Sequence, residues 1–458
     1  MDKKKKLVPP TAIPAAVLYS AMGYVESQED VAALLMAVPP AELCAPLAAL
    51  RTFMTTPMAF DGQWPTVDMS AVSQDHLDLV YVALPAIPGL LLPPRHSVLD
   101  RHLPALLAAL PSKLKMVDTK DVAWFDEPEF RGIVPLCTQL SEVYADVFHL
   151  RTTLLPPSPL AQHLEAGRVT HLMLHALSSA ASANALASIL AAATSVTTLG
   201  LNASEALINL GKPLHHVEAV QLYVEPALFR GDIRDFMALL DLAKVNYLDA
   251  SGFENLNWLV PFLGQMSLLE ELVLTYGAFS VTPDALMDTP LPSLNLLTVH
   301  LVTMDAVSFE TFRLWASKLR NLREAHWLNI INLPSSGFEL SQEDIAGQTD
   351  RLSVLSTRSF KRQHILALLT PLLYVRRRVQ PLTRVMFDLE SSAINPSTLR
   401  VTDITALLDA VQGRPDVALA LRASADDEAA IAAYAEAKHV EMVVDRRLEL
   451  LDCRFRAL

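Results

Sequence analysis

The stretch that decides the fold opens Val169-Thr170-His171-Leu172-Met173-Leu174-His175. Its pattern is apolar, two residues, apolar, one residue, apolar. The same phrase returns as Val196-x-x-Leu199-x-Leu201, Val217-x-x-Val220-x-Leu222, Val245-x-x-Leu248-x-Ala250, Leu269-x-x-Leu272-x-Leu274 and Leu294-x-x-Leu297-x-Val299, with starts 27, 21, 28, 24 and 25 residues apart. A strand sends successive side chains to opposite faces. The fourth and sixth positions of each phrase are therefore expected in a core, and the third, fifth and seventh on the other face. Between phrases, residues 180–193, 229–242, 309–319 and 404–411 carry apolar residues at helical spacing. Strand and helix in alternation predict an α/β fold built on a parallel sheet.

The phrase and its period of about 20–29 residues resemble leucine-rich repeats. That resemblance implies a solenoid, with a parallel sheet on the concave side and helices on the convex side. It extends over residues 64–458. Further copies read Leu77-x-x-Val80-x-Val82, Leu114-x-x-Val117-x-Thr119 and Leu140-x-x-Val143-x-Ala145 on one side of the centre. On the other side stand Leu322-x-x-Ala325-x-Trp327, Leu352-x-x-Leu355-x-Thr357 and Leu382-x-x-Val385-x-Phe387, then weaker copies at 417–421 and at Val440-x-x-Val443. Residues 426–440 read as a last helix before a capping strand. The repeat-ladder asparagine is nearly missing, with Asn202 the lone candidate.

Composition narrows the function classes. The 458 residues are 51% hydrophobic, with a mean hydropathy of +0.29, a net charge of −13 and a pI near 5.5. Nucleic acid is disfavoured as a partner, because neutralising phosphates takes a basic surface. Cys44, Cys137 and Cys453 stand far apart and odd in number, as in a reducing compartment with free thiols. Residues 1–10 read as a disordered basic tail rather than a signal peptide, because Pro9, Pro10 and Pro14 interrupt the apolar run. Residues 176–204 carry no charge but are rich in Ser, Ala and Thr, so no membrane span is expected. The expected location is intracellular, cytoplasmic or nuclear. No nucleotide-binding, hydrolase or zinc-protease motif occurs, so the chain reads as a non-enzyme without cofactor. His171 and His175 share a strand face but lie roughly 13 Å apart by strand rise, too far to hold one metal. Lys361, Arg362, Arg376, Arg377 and Arg378 read as a solvated rim.

Residues 11–54 differ from the repeats and read as three short helices: one capped by Thr11 and stopped at Gly23, one opened by Ser27 or Gln28, and one over 42–53. Ile13-Pro14, Val17-Leu18, Met22, Asp30-Val31, Leu34 and Val38 resemble the opening two-thirds of an F-box. What that implies is a substrate-recruiting subunit of a cullin-RING ubiquitin ligase, a monomer outside its complex. Ile13, Pro14, Val17, Leu18, Val31 and Leu34 would then lie at or beneath the surface meeting a Skp-family adaptor. The alternative is a leucine-rich-repeat binding protein unrelated to ubiquitination, with the head acting as a solenoid cap. An exposed apolar head favours the adaptor, and a head packed on the first repeat favours the cap.

The partner site is read from strand parity. The outward positions include His171, Met173 and His175, then Gln221 and Tyr223, Tyr247 and Asp249, Glu271, Thr298 and His300, and Glu324 and His326. Tyr and Met favour protein interfaces, and the charges on this face are acidic. The expected ligand is a protein or peptide centred on Tyr223 and Tyr247, with basic groups meeting Asp249 and Glu271.

Overall fold

A computed structural model describes residues 14–25, 27–56, 64–69, 72–92, 103–119, 128–146, 159–175, 180–202, 212–224, 233–280, 286, 288–328, 330–331, 354–358, 382–388, 401–412, 417–447 and 450–457. The chain forms two compact units, residues 1–201 with 209–212, and residues 202–208 with 213–458.

The first unit begins with three helices: α1 (Ala15–Met22), α2 (Gln28–Ala37) and α3 (Ala45–Thr55). Ser27 caps α2, its hydroxyl accepting from the Asp30 N–H at 3.1 Å, and Glu29 and Asp30 suit the positive end of the helix dipole. Leu18, Met22, Val31, Leu35, Leu47, Leu50 and Phe53 are buried. The α3 helix packs on α4 (Leu77–Ala83), and the buried Trp64 donates its indole N–H to the Met22 carbonyl at 3.3 Å. The strands β1 (Thr66–Asp68), β2 (Gly89–Leu92), β3 (Leu114–Thr119), β4 (Glu142–Asp146), β5 (His171–His175) and β6 (Thr198–Asn202) follow, each parallel to the next.

One expected strand is corrected. Leu77-x-x-Val80-x-Val82 lies in α4, and the strand of that repeat is β2. Leu77, Val80, Tyr81 and Leu84 are buried while Val82 is 50% exposed. Spacings of three, four and seven trace a helix face, and the first two apolar positions of the phrase fit that spacing equally well.

In the second unit β7 (Ala219–Tyr223), β8 (Tyr247–Ser251), β9 (Glu271–Ala278), β10 (Leu296–Thr303), β11 (Glu324–Leu328), β12 (Val354–Arg358), β13 (Leu382–Asp388) and β14 (Val417–Ser424) run parallel in chain order. The end differs from the sequence expectation of a purely parallel array. Here β15 (Val440–Arg447) and β16 (Leu450–Ala457) are antiparallel, and the order is β14-β16-β15. Only residues 448–449 separate the two, a hairpin length that cannot make a parallel crossover.

Core assignment follows the phrase. Leu172, Leu174, Leu199, Leu248, Leu272, Leu274, Leu297 and Val299 are fully buried, as are the first-position residues Val169, Val196, Val217, Val245, Leu269 and Leu294. The connectors vary. A full helix, α5 (Ala306–Lys318), links β10 to β11 and is capped by Asp305, which accepts from the Ser308 N–H at 2.7 Å. Its Phe312 meets Phe279 and Trp327 edge-to-face and Trp315 at a tilt, and its Phe309 meets Trp327 edge-to-face. Of the helix expected over 229–242, residues 229–232 lie outside the described residues, Ile233–Met237 is helical, and Leu242–Lys244 forms a 3-10 turn.

Among the described residues, assorted side chains reach back about one repeat to a carbonyl. Arg168 donates to Pro135 at 3.2 Å, Ser195 to Val169 at 2.9 Å, Lys244 to His215 at 3.0 Å, Ser293 to Ser267 at 2.9 Å and Trp315 to Thr289 at 3.0 Å. Their sequence separations of 26 to 33 residues are about one repeat, so each ties neighbouring turns together. The job is satisfying carbonyls that helical or sheet bonding leaves open.

Candidate functional site

Strand register turns the outward positions into rows. In the second unit Tyr247 lies opposite Glu271, Glu271 opposite Leu296, and Leu296 opposite Glu324. The next row runs Gln221, Asp249, Val273, Thr298 and His326, and the next Tyr223, Ser251, Thr275, His300 and Leu328. Parallel strands lie about 4.8 Å apart, so neighbours in a row are close enough to interact electrostatically.

The electrostatics of this patch are those of crowded, partly dry acids. Burial pushes the Asp249 carboxyl up to about 6, with the Glu271 carboxylate adding to it. Burial also raises Glu271; Glu324 raises it further, while His326 opposes both. The Tyr247 phenol is pushed up to about 12 by burial, then by Asp249 and Glu271. His326 Nε2 stands 3.6 Å from a Glu324 carboxylate oxygen. Asp249 Oδ1 is buried without a hydrogen-bond partner among the described residues.

A stability prediction follows. Because the folded state holds the Asp249 proton above its ordinary value of 3.8, this group's contribution is greatest below about pH 4 and is lost as pH rises through about 6. Asp249→Asn should flatten that fall, read as the urea midpoint between pH 4 and 7. An unchanged pH profile would reject the buried-acid account.

In the first unit His171, Met173 and His175 occupy β5, and His171 Nδ1 is 2.9 Å from the Thr170 hydroxyl. Met173 lies over Gly200, where an added Cβ would fall 2.0 Å from the Met173 sulfur. A second group on this face was not read from the sequence. Tyr144 on β4 is raised by burial and then by Glu142 and Asp118. Parity alone could have found it, since Leu140-x-x-Val143-x-Ala145 points Glu142 and Tyr144 outward.

Tyr276 was also missed. It follows the seventh phrase position, is 53% exposed and sets its ring 5.8 Å from that of His300. Gly252, Tyr276 and Leu301 occupy the same phrase position in consecutive repeats, and all three have positive φ, at 81°, 51° and 53°. Beyond this left-handed step β9 and β10 resume pairing, with Val302 opposite Gly277. Left-handed Tyr and Leu are unusual, and such residues persist only where the surrounding structure holds them.

Of the head residues, Pro14 and Val17 are exposed, Leu34 is half-buried, and Leu18 and Val31 are buried. Ile13, Lys361, Arg362 and Arg376–378 lie outside the described residues. Burial pushes the Cys137 thiol up to about 12, and the Tyr19 hydroxyl lies 3.2 Å from Cys44 Sγ. Among the described residues no group of three His, Cys, Asp or Glu is placed to hold a metal, and no helix is long and apolar enough to cross a membrane.

Parallel strands that repeat one apolar phrase in register, with helical or 3-10 connectors between them, define a leucine-rich-repeat fold. No protein-family model matches the chain, and no curated protein matches it significantly. Among solved structures it is similar to an internalin (inlF) from Listeria monocytogenes, at 12% identity and a TM-score of 0.35, over 83% of this chain and 94% of that one. It is similar also to internalin C2 of the same organism, at 16% identity and a TM-score of 0.28, over 50% of this chain and 83% of that one. A third similarity is to TLR13 in its complex with ssRNA13, at 12% identity and a TM-score of 0.31, over 72% of this chain and 44% of that one. Likeness at these scores adds nothing to what the strand registers establish.

Proposed function

We propose that this chain is a non-catalytic interaction scaffold whose outward sheet face binds a protein or peptide carrying basic groups. The observation that carries the reading is the row of Tyr247, Glu271 and Glu324, with Asp249 in the adjacent row and the exposed Tyr223 in the row beyond it. A basic partner relieves the mutual repulsion of these acids, and tyrosines supply rigid contact area. An array of extended peptides of graded charge, bound at low and at physiological salt, tests it. Lysine- and arginine-bearing peptides should bind, and salt should weaken them. Equal binding of acidic peptides would reject the reading.

For the head, the cap is the better supported role. Leu18 is 2% exposed and Val31 is 0% exposed, and α3 sits on α4. Two of the six residues expected at or beneath the adaptor surface are thus buried within the first unit. The adaptor reading keeps Pro14, Val17 and Leu34, together with the exposed Tyr24 and Met36. Val31→Asp places a charge in that packing and is expected to lower the first unit's melting temperature. Val17→Asp, on an exposed side chain, should leave it unchanged. Co-purification of a Skp-family adaptor that Val17→Asp abolishes would restore the ubiquitin-ligase reading.

A further inference from the structure

The outermost strand of the second unit's sheet is β15. It pairs with β16 on one side, and among the described residues no strand pairs with it on the other. Its register with β16 is unbroken from Val440↔Ala457 to Arg447↔Leu450, and it contains no proline. Val443 is 54% exposed, Glu441 is exposed, and Met442 and Val444 are half-buried. An open edge of eight residues leaves alternate N–H and C=O groups facing out, and another extended chain is what satisfies them in register.

We propose that β15 is a docking edge for a second copy of this chain, whose own β15 adds antiparallel across a two-fold axis. The choice of a second copy comes from the strand's charge order, Val440-Glu441-Met442-Val443-Val444-Asp445-Arg446-Arg447. With the two-fold perpendicular to the sheet, opposed residues must come from the same face of the strand. Only two such registers pair seven residues of the strand. Centring on Val443 sets Glu441 against Asp445, two like charges. Centring on Val444 sets Val444 against its own copy and Glu441 against Arg447 of the second copy. Opposed unlike charges stabilise a strand pair and like charges disfavour it, so the Val444 register is selected. The strand is thus complementary to itself read backwards, a property an isologous contact needs.

Light scattering on the eluting full chain, over a range of concentrations, tests this. The expected result is a dimer, with amide exchange slowed at alternate residues of β15 as the dimer forms. Val444→Lys opposes lysine to itself and should give a monomer. Arg447→Glu should do the same by facing Glu441 of the second copy, and adding Glu441→Arg should bring the dimer back. Thermal melts on each variant establish that the second unit stays folded; position 447 is matched in register with Leu450. A chain that stays monomeric up to about 100 μM, far above the micromolar Kd of a modest interface, would overturn the proposal. So would a dimer indifferent to Val444→Lys and Arg447→Glu.

Discussion

Leu272→Ala should cost the second unit about 2–5 kcal/mol of stability, while Thr298→Ala on the neighbouring strand should stay within about 0.5 kcal/mol. Leu272 is 0% exposed and is matched in register with Leu248 on one side and Leu297 on the other, both also 0% exposed. Removing its branched end leaves a cavity that two parallel neighbours cannot close, because their own registers are fixed by the ladder. Thr298 faces outward, half-buried, and leaves no cavity behind. Gly252→Ala belongs with Leu272→Ala for a different reason. Gly252 has φ of 81°, and an added Cβ would meet the Val224 carbonyl oxygen at 1.8 Å. Both the backbone strain and the clash are with main chain, so no rotamer change relieves them; the cost should reach about 4 kcal/mol or more. Denaturant unfolding of the three variants checks the set. Similar small losses at Leu272 and Thr298 would mean that the parity of the phrase does not divide core from surface.

That parity was legible in the sequence, and for a physical reason. A period of two in side-chain direction and a period near 25 in the chain are both printed in the residues, so the burial of Leu172, Leu199, Leu272 and Leu297 follows from the sequence alone. The misreading at Leu77 arose because an interval of three fits a helix and a repeat phrase alike, and Tyr81 and Leu84 decided for the helix. The terminal hairpin was hidden because Val440-x-x-Val443 states that a strand forms but not its direction. Direction came from the two residues that separate β15 from β16. For the site, membership of the outward face was readable residue by residue, as with Asp249 and Glu271. Their mutual effect was not, because Asp249 titrates near 6 through burial and a neighbour 22 positions along the chain. Tyr276 escaped because the phrase ends one residue before it, and nothing in the sequence announces a left-handed tyrosine.

Tyr223→Ala and Tyr247→Ala should each weaken the binding of a basic peptide by more than about 2 kcal/mol, roughly thirtyfold, if the face is the docking surface. The two residues play different parts. Tyr223 is 44% exposed at the end of β7 and offers its ring as free contact area. Tyr247 is half-buried beside Asp249 and Glu271, whose charges raise its phenol, and its expected part is to limit the access of water to those acids. Truncating it rehydrates the acids and weakens each ion pair they make, since a charge pair is worth less at higher effective dielectric. Tyr247→Phe keeps the wall and should retain most of the affinity, which separates this role from a hydrogen bond by the phenol. Binding should also strengthen as pH rises through about 6, where Asp249 loses its proton, and Asp249→Asn should remove that rise. Alanine at Arg376, Arg377 and Arg378 together is the control for the rim. Unchanged binding at both tyrosines, with loss only in the triple variant, would move the partner off the sheet face.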